Sequence, residues 1–440
     1  MQQQLTDGLV LRSLSEGHLS DRERLPDLYA AINTEGESER VKDGMRHWTR
    51  SLMDGHPTVT PDDIFVVVDT AQDDLLVSAT LLIPQTWRYG DILLPAGRPE
   101  LVATHWDYRG RGLVRVLFDA VHERSAALGH LVQGITGIPH FYRKLGYTMA
   151  VDLDDHAVYH LSALPTPPAD YIPNLVLRAA TPEDIPDILD WNARFARERL
   201  VSDAFTAADL HYEITGRERG YYPHTEYLMM AATDGSTIGY LVVLDSLREP
   251  YYLRCVSYVV GPNASYLAAF DASMHALKVW ATARYEHCPE MVYFYPGLHE
   301  TIDQLIDHSP GGLVSPRKYA WYMRVPDVVK FLKTITPVLE RRIEGSGAHR
   351  CTGELRIGFY TLGGVRIRFD GGRISDITLI SGKDDYDAEF PWELFWNLVL
   401  GYRTVDEMGR VLPDVYAKAK AAVLLSILFP KQSSWLRGLA

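Results

Sequence analysis

The sequence feature that most constrains the fold is the segment ELVATHWDYRGRGLVRVLFDAVHERSAAL, residues 100–128. Its first residues, 100–104, are mostly apolar and typical of a strand, and the turn Arg109–Gly112 follows them. Apolar residues then recur at the spacing of a helix that buries one face, at Val114, Leu117, Phe118, Val121 and Leu128. A strand, a glycine-rich turn and a helix that lies against the sheet predict an α/β unit in this part of the chain.

The turn Arg109-Gly110-Arg111-Gly112 predicts an anion site. The first N–H groups of the following helix have no partner within the helix, and the helix dipole adds positive charge at the same end. Gly110 and Gly112 let the backbone approach a ligand, while Arg109 and Arg111 add two positive charges. We expect a pyrophosphate to bind there. The same four residues also fit an ordinary surface loop, and their position between a strand and a helix favours the anion site.

A proline-rich stretch, residues 164–174, predicts a linker, since proline interrupts helices and central strands. The chain follows similar patterns on its two sides: GLVLRS precedes a helical pattern near the start, and NLVLRA precedes another after the linker. Two related domains, residues 1–163 and 175–322, are therefore expected. The remaining residues, 323–440, group strands before helices, which is typical of an α+β domain.

Charge and composition argue against several classes of function. With a formal charge of −13, the chain is expected to bind no nucleic acid and to attract cationic small molecules, although such a charge also serves solubility alone. Three cysteines without paired spacing predict neither a disulfide framework nor a metal site. The lack of a long apolar run and of a signal peptide predicts a cytoplasmic protein without a membrane partner.

The turn and the residues after it resemble those of a known superfamily. Arg109, Gly112 and Val114 occupy the acyl-coenzyme-A signature of the GCN5-related N-acetyltransferases (GNAT), Arg/Gln-x-x-Gly-x-Gly/Ala, although Val114 stands where glycine or alanine is usual. The segment PHFYRKLGYTMAVD, residues 139–152, is similar to the one that leads into the last strands of this superfamily. Over nearly its whole length, the chain resembles the enhanced-intracellular-survival (Eis) family, in which two tandem GNAT folds precede a domain similar to sterol carrier proteins.

The resemblance implies an acetyl-CoA site and its catalytic groups. It assigns acetyl-CoA binding to the strand, the turn and the next strand, at Val102, Ala103, Thr104, Arg109, Gly110, Arg111, Gly112, Leu113, Val114, Arg115, Gly137 and Ile138. Tyr142 matches the general acid, the alternative being an aromatic that packs beneath the cofactor. The family's base is the chain's own terminal carboxylate, here that of Ala440, although a frayed terminus is the simpler interpretation and His140 is a competing base. The resemblance also implies a silent second copy and a homo-oligomer, a hexamer.

The acceptor amine is expected over the loop and helix that contain Glu35, Glu37, Glu39 and Trp48, where carboxylates attract a cation and the indole forms a wall. A solvated acidic loop is the alternative. The predicted reaction is acetyl transfer from acetyl-CoA to a primary amine of a cationic small molecule, aminoglycoside- or polyamine-like, by direct attack in a ternary complex. A protein lysine acetyltransferase and a non-enzymatic lipid or acyl-CoA binding protein are the alternatives.

Overall fold

The strand–turn–helix segment lies within the first of three units of the fold. The computed structural model describes residues 2–153, 157–166, 174–216, 225–244, 251–295, 298–315, 319–381 and 385–437. Most of the predicted linker, residues 167–173, lies outside these ranges.

The first unit is a sheet with helices on both faces. In chain order its strands are β1 (Gln2–Gln4), β2 (Leu9–Ser13), β3 (Ile64–Asp69), β4 (Leu75–Tyr89), β5 (Ile92–Thr104), β6 (Val132–Ile135) and β7 (Thr148–Asp152). Its helices are α1 (Leu19–Asn33), α2 (Glu39–Met53) and α3 (Leu113–Ala127). Strand β3, IFVVVD, shows why the sheet is covered twice: alternate residues join the core under α1 and α2, and the others join the core under α3.

The second unit repeats this plan. Its strands, in chain order, are β8 (Ala157–His160), β9 (Leu175–Ala179), β10 (Val201–Asp203), β11 (Thr225–Ala232), β12 (Thr237–Leu244), β13 (Tyr252–Val260), β14 (Met291–Phe294), β15 (Leu313–Val314) and β16 (Ala320–Arg324). Its helices are α4 (Ile185–Ala196), α5 (Ala207–His211), α6 (Tyr266–Thr282) and α7 (Glu300–Asp307). In each main sheet a run of antiparallel pairs is followed by a parallel one, β5 with β6 in the first and β13 with β14 in the second.

The two sheets exchange strands. The first sheet runs in the order β1-β2-β3-β4-β5-β6-β16-β7, with β10 paired to β4, and the second runs β15-β8-β14-β13-β12-β11-β9. Strand β16 therefore lies between β6 and β7, although the rest of the second unit separates it from them in sequence. Strand β8 pairs with β14 in the second sheet. A cut after residue 163 would separate β8 from its sheet, and a cut after residue 322 would fall within β16.

The C-terminal unit is α+β, as its sequence predicts. Its elements are α8 (Val328–Glu344), β17 (Gly353–Gly358), β18 (Gly364–Asp370), β19 (Arg373–Ile380), β20 (Ala388–Glu389), α9 (Trp392–Val399), α10 (Val405–Gly409), β21 (Tyr416–Ala417) and α11 (Ala419–Leu428). Its core is continuous with one end of the first sheet. There the Tyr89 hydroxyl donates a hydrogen bond to the Val399 carbonyl at 2.7 Å. Within the described ranges, no helix combines the length and the apolar character needed to cross a membrane.

Candidate active site

The candidate site begins where two parallel strands of the first sheet separate. Pairing between β5 and β6 covers only Ala96 with Val132 and Gly97 with Gln133. Beyond these pairs β5 contains a bulge, at which Leu101 has a φ of 52° and the register against β4 shifts. A bulge bends its strand away from a neighbour. The separation leaves backbone N–H and C=O groups at the end of β5 without pairing to β6, so they are available to a ligand.

A cavity of about 610 Å³ opens at this separation. Ten of the twelve residues assigned to acetyl-CoA binding line it, namely Val102, Ala103, Thr104, Arg109, Gly110, Gly112, Leu113, Val114, Arg115 and Ile138. The other lining residues that the sequence analysis did not name are Ile32, Tyr108, Phe141, Lys144 and Leu145; Tyr142 completes the set. The strand, the turn and the segment before β7 therefore meet at one cavity.

The glycine turn is shaped to admit a ligand. Gly110 has a φ of 80° and Gly112 a φ of 77°, a conformation that favours glycine over residues with a Cβ. Apart from each glycine and its neighbours in the chain, no heavy atom of the described residues lies within 4 Å of the position that a Cβ would occupy at either glycine. Gly112 is the N-cap of α3, so the free N–H groups of the first turn of this helix face the turn. The geometry fits a pyrophosphate.

The two arginines of the turn differ in their surroundings. Arg109 lines the cavity, and its guanidinium lies 3.9 Å from the carboxylate of Glu35. The Arg111 guanidinium instead lies 4.5 Å from the ring centre of Tyr108 and donates to the Asp107 carbonyl at 3.2 Å. Arg109 is therefore the one of the two that contacts the cavity directly.

Tyr142 lies at the inner part of the cavity wall, on a short helical turn, Phe141–Leu145. The side chain is 4% exposed, and its ring packs against Phe118 and Tyr322 at 5.8 and 5.5 Å between ring centres. A Cβ placed on Gly137 would lie 3.0 Å from the Tyr142 hydroxyl oxygen, so that oxygen approaches the end of β6 closely. Burial, and then the carboxylate of Glu100, raise the pKa of the Tyr142 phenol.

The remaining part of the wall comes from residues far away in sequence. Tyr319 accepts a hydrogen bond from the Gly137 N–H at 2.8 Å and donates another to the Gly137 carbonyl. The Tyr322 hydroxyl accepts a hydrogen bond from the His140 N–H at 2.5 Å. Tyr319 directly precedes β16 and Tyr322 lies within it. Their hydrogen bonds therefore hold the segment that contains Tyr142 against the exchanged strand. Sequence reasoning missed them because nothing in the local pattern indicates which sheet a strand joins.

Glu100 is a second charged group that sequence reasoning did not assign. Its side chain is 14% exposed, and it accepts a hydrogen bond from the buried Arg98 guanidinium at 2.5 Å. Arg98 also lies 5.3 Å from the ring centre of Trp321. After burial, the charge of the Glu100 carboxylate also raises the pKa of both the Tyr142 and the Tyr29 phenol. A largely buried ion pair therefore lies on β5 and contacts Trp321 of the exchanged strand β16.

Comparison with known proteins identifies the domain in which this cavity lies. The sequence model of the acetyltransferase (GNAT) domain family matches residues 36–150, which include the bulge, the glycine turn, α3 and Tyr142. Residues 36–150 are a GNAT acetyltransferase domain. The chain is therefore an acetyl-CoA-dependent N-acetyltransferase. Comparison with curated proteins gave no match.

Three solved structures resemble this acetyltransferase over its full length. A GCN5-related N-acetyltransferase from Anabaena variabilis ATCC 29413 is 14% identical, with 97% of this chain and 99% of that chain covered and a TM-score of 0.64. A conserved protein of unknown function from Enterococcus faecalis V583, a probable N-acyltransferase, is 16% identical, with 98% and 99% covered and a TM-score of 0.68. Eis1 from Mycobacterium abscessus is 13% identical, with 98% and 99% covered and a TM-score of 0.58. At these identities the likeness is one of fold.

The residues expected at the acceptor side of the acetyltransferase are dispersed. Glu35 and Glu37 are exposed, and Glu35 faces Arg109 of the turn. Trp48 is 5% exposed and packs in the core between α1, α2 and the sheet, so it does not form a wall of the cavity. Helix α2 directs the Trp48 side chain toward the core. The sequence of this mostly polar segment did not indicate that direction. Glu39 pairs with Lys42 and Arg46 on the surface.

The two candidate bases of the acetyltransferase are placed differently. His140 is exposed, and its side chain is not part of the cavity wall. Ala440 lies outside the described residues, which end at Arg437. The residues before that end are buried: Trp435 is 5%, Leu436 2% and Arg437 7% exposed.

Proposed function

We propose that this acetyltransferase transfers the acetyl group of acetyl-CoA to a primary amine of a cationic small molecule, aminoglycoside- or polyamine-like, by direct attack in a ternary complex. The observation that carries the proposal is the cavity at the separation of β5 and β6, with the glycine turn at one side and the Tyr142 hydroxyl at the other. We further propose an Eis-like architecture with a C-terminal unit similar to sterol carrier proteins, a silent second unit, and a homo-oligomer in the cytoplasm.

Acetyl-CoA supplies an activated acetyl group as a thioester, and the chain offers matching groups for each part of it. The backbone of Val102–Thr104 runs along the cavity and suits the amides of the pantetheine arm. Gly110, Gly112 and the first turn of α3 suit the pyrophosphate, with Arg109 as a charged partner. Ile138, with Gly137 behind Tyr142, suits the acyl end.

Two groups would transfer the protons of the reaction, one as general base and one as general acid. As the amine nitrogen forms its bond to the thioester carbon and the C–S bond breaks, the carboxylate of Ala440 takes the proton that the nitrogen loses. Tyr142 donates its own proton to the leaving sulfur. Because burial raises the pKa of Tyr142, the phenol keeps its proton until negative charge develops on the sulfur. Residues 435–437, the last that the structure describes, are buried.

One observation favours a second candidate, a protein lysine acetyltransferase. Glu35 and Glu37 are exposed, and Trp48 does not wall the acceptor side. An open acidic surface can receive a lysine side chain of a protein as well as a small polyamine, since both present a primary ammonium group. The acceptor panel below therefore includes both classes.

The test is steady-state release of free coenzyme A from acetyl-CoA across a panel of aminoglycosides, polyamines and a lysine peptide. The wild type is compared with a variant that lacks Ala440. We expect turnover with one amine class and a loss of about 100-fold in kcat on deletion, the size typical of general acid–base catalysis. Equal kcat in both proteins would show that the terminal carboxylate is not the base. Release with the peptide alone would replace the small-molecule acceptor with a protein.

A further inference from the structure

A further cavity lies between the first and second units. Its volume is about 250 Å³, and we call it the interunit cavity. The first unit contributes residues 56–58, which follow α2, and residues 84–86 of β4. The second unit contributes eight residues from Asp203 to Glu213, and Arg437 near the end of the described chain completes the wall. The interunit cavity is thus formed by parts of the chain that only the fold brings together.

Hydrogen bonds hold the two walls of the interunit cavity in place. The Ala204 N–H donates to the Thr86 carbonyl at 3.0 Å, which continues the pairing of β10 with β4. The Tyr212 hydroxyl donates to Ser51 Oγ of α2 at 2.8 Å. Because both bonds cross from one unit to the other, they fix the width of the interunit cavity.

The side chains around the interunit cavity carry a net negative charge. Three carboxylates, those of Asp203, Asp209 and Glu213, line it together with the Arg437 guanidinium. With histidine counted as neutral, three negative charges against one positive charge leave a net charge of −2. The Arg437 guanidinium lies 3.4 Å from the Glu213 carboxylate, so it compensates Glu213 most directly. Asp209 accepts hydrogen bonds from the N–H and the hydroxyl of Thr206 at 2.7 and 2.8 Å, as part of the cap of α5.

Asp203 is the carboxylate that this arrangement leaves least satisfied. It is 6% exposed and accepts one hydrogen bond, from the Arg437 backbone N–H at 2.7 Å. No further hydrogen bond and no ion pair reaches its carboxylate from the described part of the chain, although an ionised carboxylate can accept about four hydrogen bonds. Burial raises the pKa of Asp203 to about 6, while the backbone N–H and the charge of Arg437 oppose that rise. Since buried charges are normally paired, a cation in the interunit cavity would supply the partner that Asp203 lacks.

The walls of the interunit cavity fit an organic ammonium group. An ammonium group carries one positive charge and three N–H donors, which match a carboxylate with free acceptor positions. Phe205 and Tyr212 supply aromatic walls, which favour a cation and the methylene groups beside it. Across the described residues, no group of three His, Cys, Asp or Glu side chains converges as metal ligands do. The interunit cavity therefore suits an ammonium group on a carbon chain better than a metal ion.

The interunit cavity also lies close to the place proposed for the acetyl group. Its wall residue Pro84 pairs with Gly97 of β5, and Gly97 pairs with Gln133 in the last pair before β5 and β6 separate. Gly137, assigned to the acyl end, follows Gln133 by four residues, roughly 13 Å of extended chain. With about 5 Å between neighbouring strands, the two places are on the order of 15 Å apart. A flexible ligand with ammonium groups at both ends can therefore reach both.

We propose that the interunit cavity binds an ammonium group of the acceptor other than the one that is acetylated, with Asp203 as its charged partner. The inference deepens the proposed function and rests on it, because it concerns the acceptor of the same reaction. It identifies the preferred acceptor as a flexible amine with two or more well-separated ammonium groups. Asp203 is then a specificity residue, since it binds the part of the acceptor that does not react.

The kinetic test introduces a competing ammonium group at the wall of the interunit cavity. Ala207 and Ala208 are both exposed on α5 and only Ala208 lines the interunit cavity, so Ala208→Lys and Ala207→Lys form a pair with the same change of charge. With spermine as acceptor, Ala208→Lys should raise KM about tenfold and leave kcat nearly unchanged, because a tethered ammonium group repels the free one. The KM of a monoamine such as propylamine should be the same in the wild type and both variants. An equal KM for spermine in the two variants would overturn the inference.

Titration calorimetry tests the interunit cavity without any turnover. Spermine is titrated into the full-length protein in about 0.15 M salt, which screens its attraction to the acidic surface as a whole. The wild type and Ala207→Lys should bind spermine equally, and Ala208→Lys about tenfold more weakly. A wild type that binds no spermine, or equal affinities in all three proteins, would contradict the inference. A wild type that binds spermine as expected but releases no coenzyme A with any amine would refute the proposed function instead, and the lysine pair would still decide whether spermine binds in the interunit cavity.

A third variant tests Asp203 itself. Asp203→Asn keeps an oxygen that accepts the Arg437 N–H and removes only the charge, so it should weaken spermine binding about tenfold. Asp190→Asn is the control, because it removes an exposed carboxylate of the same unit, one that pairs with Arg194. Thermal unfolding of both variants shows whether the fold is retained. A folded Asp203→Asn protein that binds spermine as tightly as the wild type would rule out Asp203 as the charged partner.

Discussion

Tyr142 shows how burial determines the chemistry that a residue can perform. Its phenol is packed among aromatic rings, and burial together with the Glu100 carboxylate raises its pKa above the ordinary value of 10.0. A phenol in this state can donate a proton at neutral pH and cannot serve as a base there. Tyr142 therefore loses its proton at a more alkaline pH than an ordinary tyrosine, whose pKa is near 10.0.

Tyr142→Phe should lower kcat by about 100-fold and leave the affinity for acetyl-CoA nearly unchanged, because the ring remains and only the proton donor is lost. In the wild type, Tyr142 should cause no loss of kcat as the pH rises to about 10. The measurements are steady-state kinetics and titration calorimetry with acetyl-CoA. Tyr147→Phe is the matched control: it removes a buried hydroxyl that bonds Gln133, so it should lower the melting temperature and leave kcat intact.

Single residues were predictable from sequence only when a local pattern identified them. Tyr142 and the glycines of the turn follow from a short motif, and the cavity brings them together. The Arg98–Glu100 pair was not predictable, because two charged residues in a strand usually face water, and here the exchanged strand covers them. The predicted role of Trp48 as a wall of the acceptor side does not fit its position, because its side chain packs in the core although its helix is mostly polar.

At the scale of elements, the glycine turn depends on backbone conformation more than on side chains. Gly112 adopts a φ of 77° at the start of α3, and Gly129 adopts a φ of 74° just after the end of the same helix. Both have open space where a Cβ would be, as far as the described residues show. The two glycines lie at opposite ends of α3, and Gly112 lines the cavity whereas Gly129 does not.

Gly112→Ala and Gly129→Ala should each destabilise the fold by about 1 kcal/mol, the cost of a left-handed residue with a Cβ. Only Gly112→Ala should also raise the KM for acetyl-CoA, by about tenfold, because its methyl group enters the space proposed for the pyrophosphate. Thermal unfolding and steady-state kinetics on both variants make the comparison. An equal KM for acetyl-CoA in the two variants would show that the turn does not bind acetyl-CoA.

The order of elements was largely predictable, and their partners were not. The periodicity of residues 100–128 predicted the strand, the turn and the helix that the structure contains, because these depend on neighbours a few residues away. The exchange of strands β8 and β16 between the sheets was not predictable, since pairing across more than 130 residues depends on the whole fold and leaves no local pattern.

At the scale of the whole molecule, the exchange makes the units interdependent. The first sheet needs β16 between β6 and β7, and the segment with Tyr142 is fastened to Tyr319 and Tyr322. The C-terminal unit shares its core with the first sheet, and Ser433 and Trp435 near its end form backbone hydrogen bonds with Leu200 and Val201 of the second unit. The first unit, which contains the glycine turn and the candidate cavity, therefore depends on contacts from the other two.

Residues 1–163 expressed alone should not unfold cooperatively, because β7 lacks its partner β16 and β8 lacks its sheet. A chain in which residues 1–163 are joined by a flexible linker to residues 319–440 should recover a cooperative transition, since it restores β16 and the shared core. Near-ultraviolet circular dichroism during heating measures both. A sharp transition in the isolated fragment would show that the exchanged strand is dispensable for the first unit.

The exchange also sets the order in which the molecule can mature on the ribosome. Strand β7 ends at Asp152, and its neighbour β16 begins at Ala320. At a synthesis rate of about 5 to 20 residues per second, the newly made first unit waits roughly 10 to 30 seconds for that neighbour. Throughout this interval the position of β16 between β6 and β7 is empty, and the apolar residues around it are exposed to chaperones and to other nascent chains. Slow translation between these strands therefore exposes the enzyme to misassembly before it can bind its first acetyl-CoA.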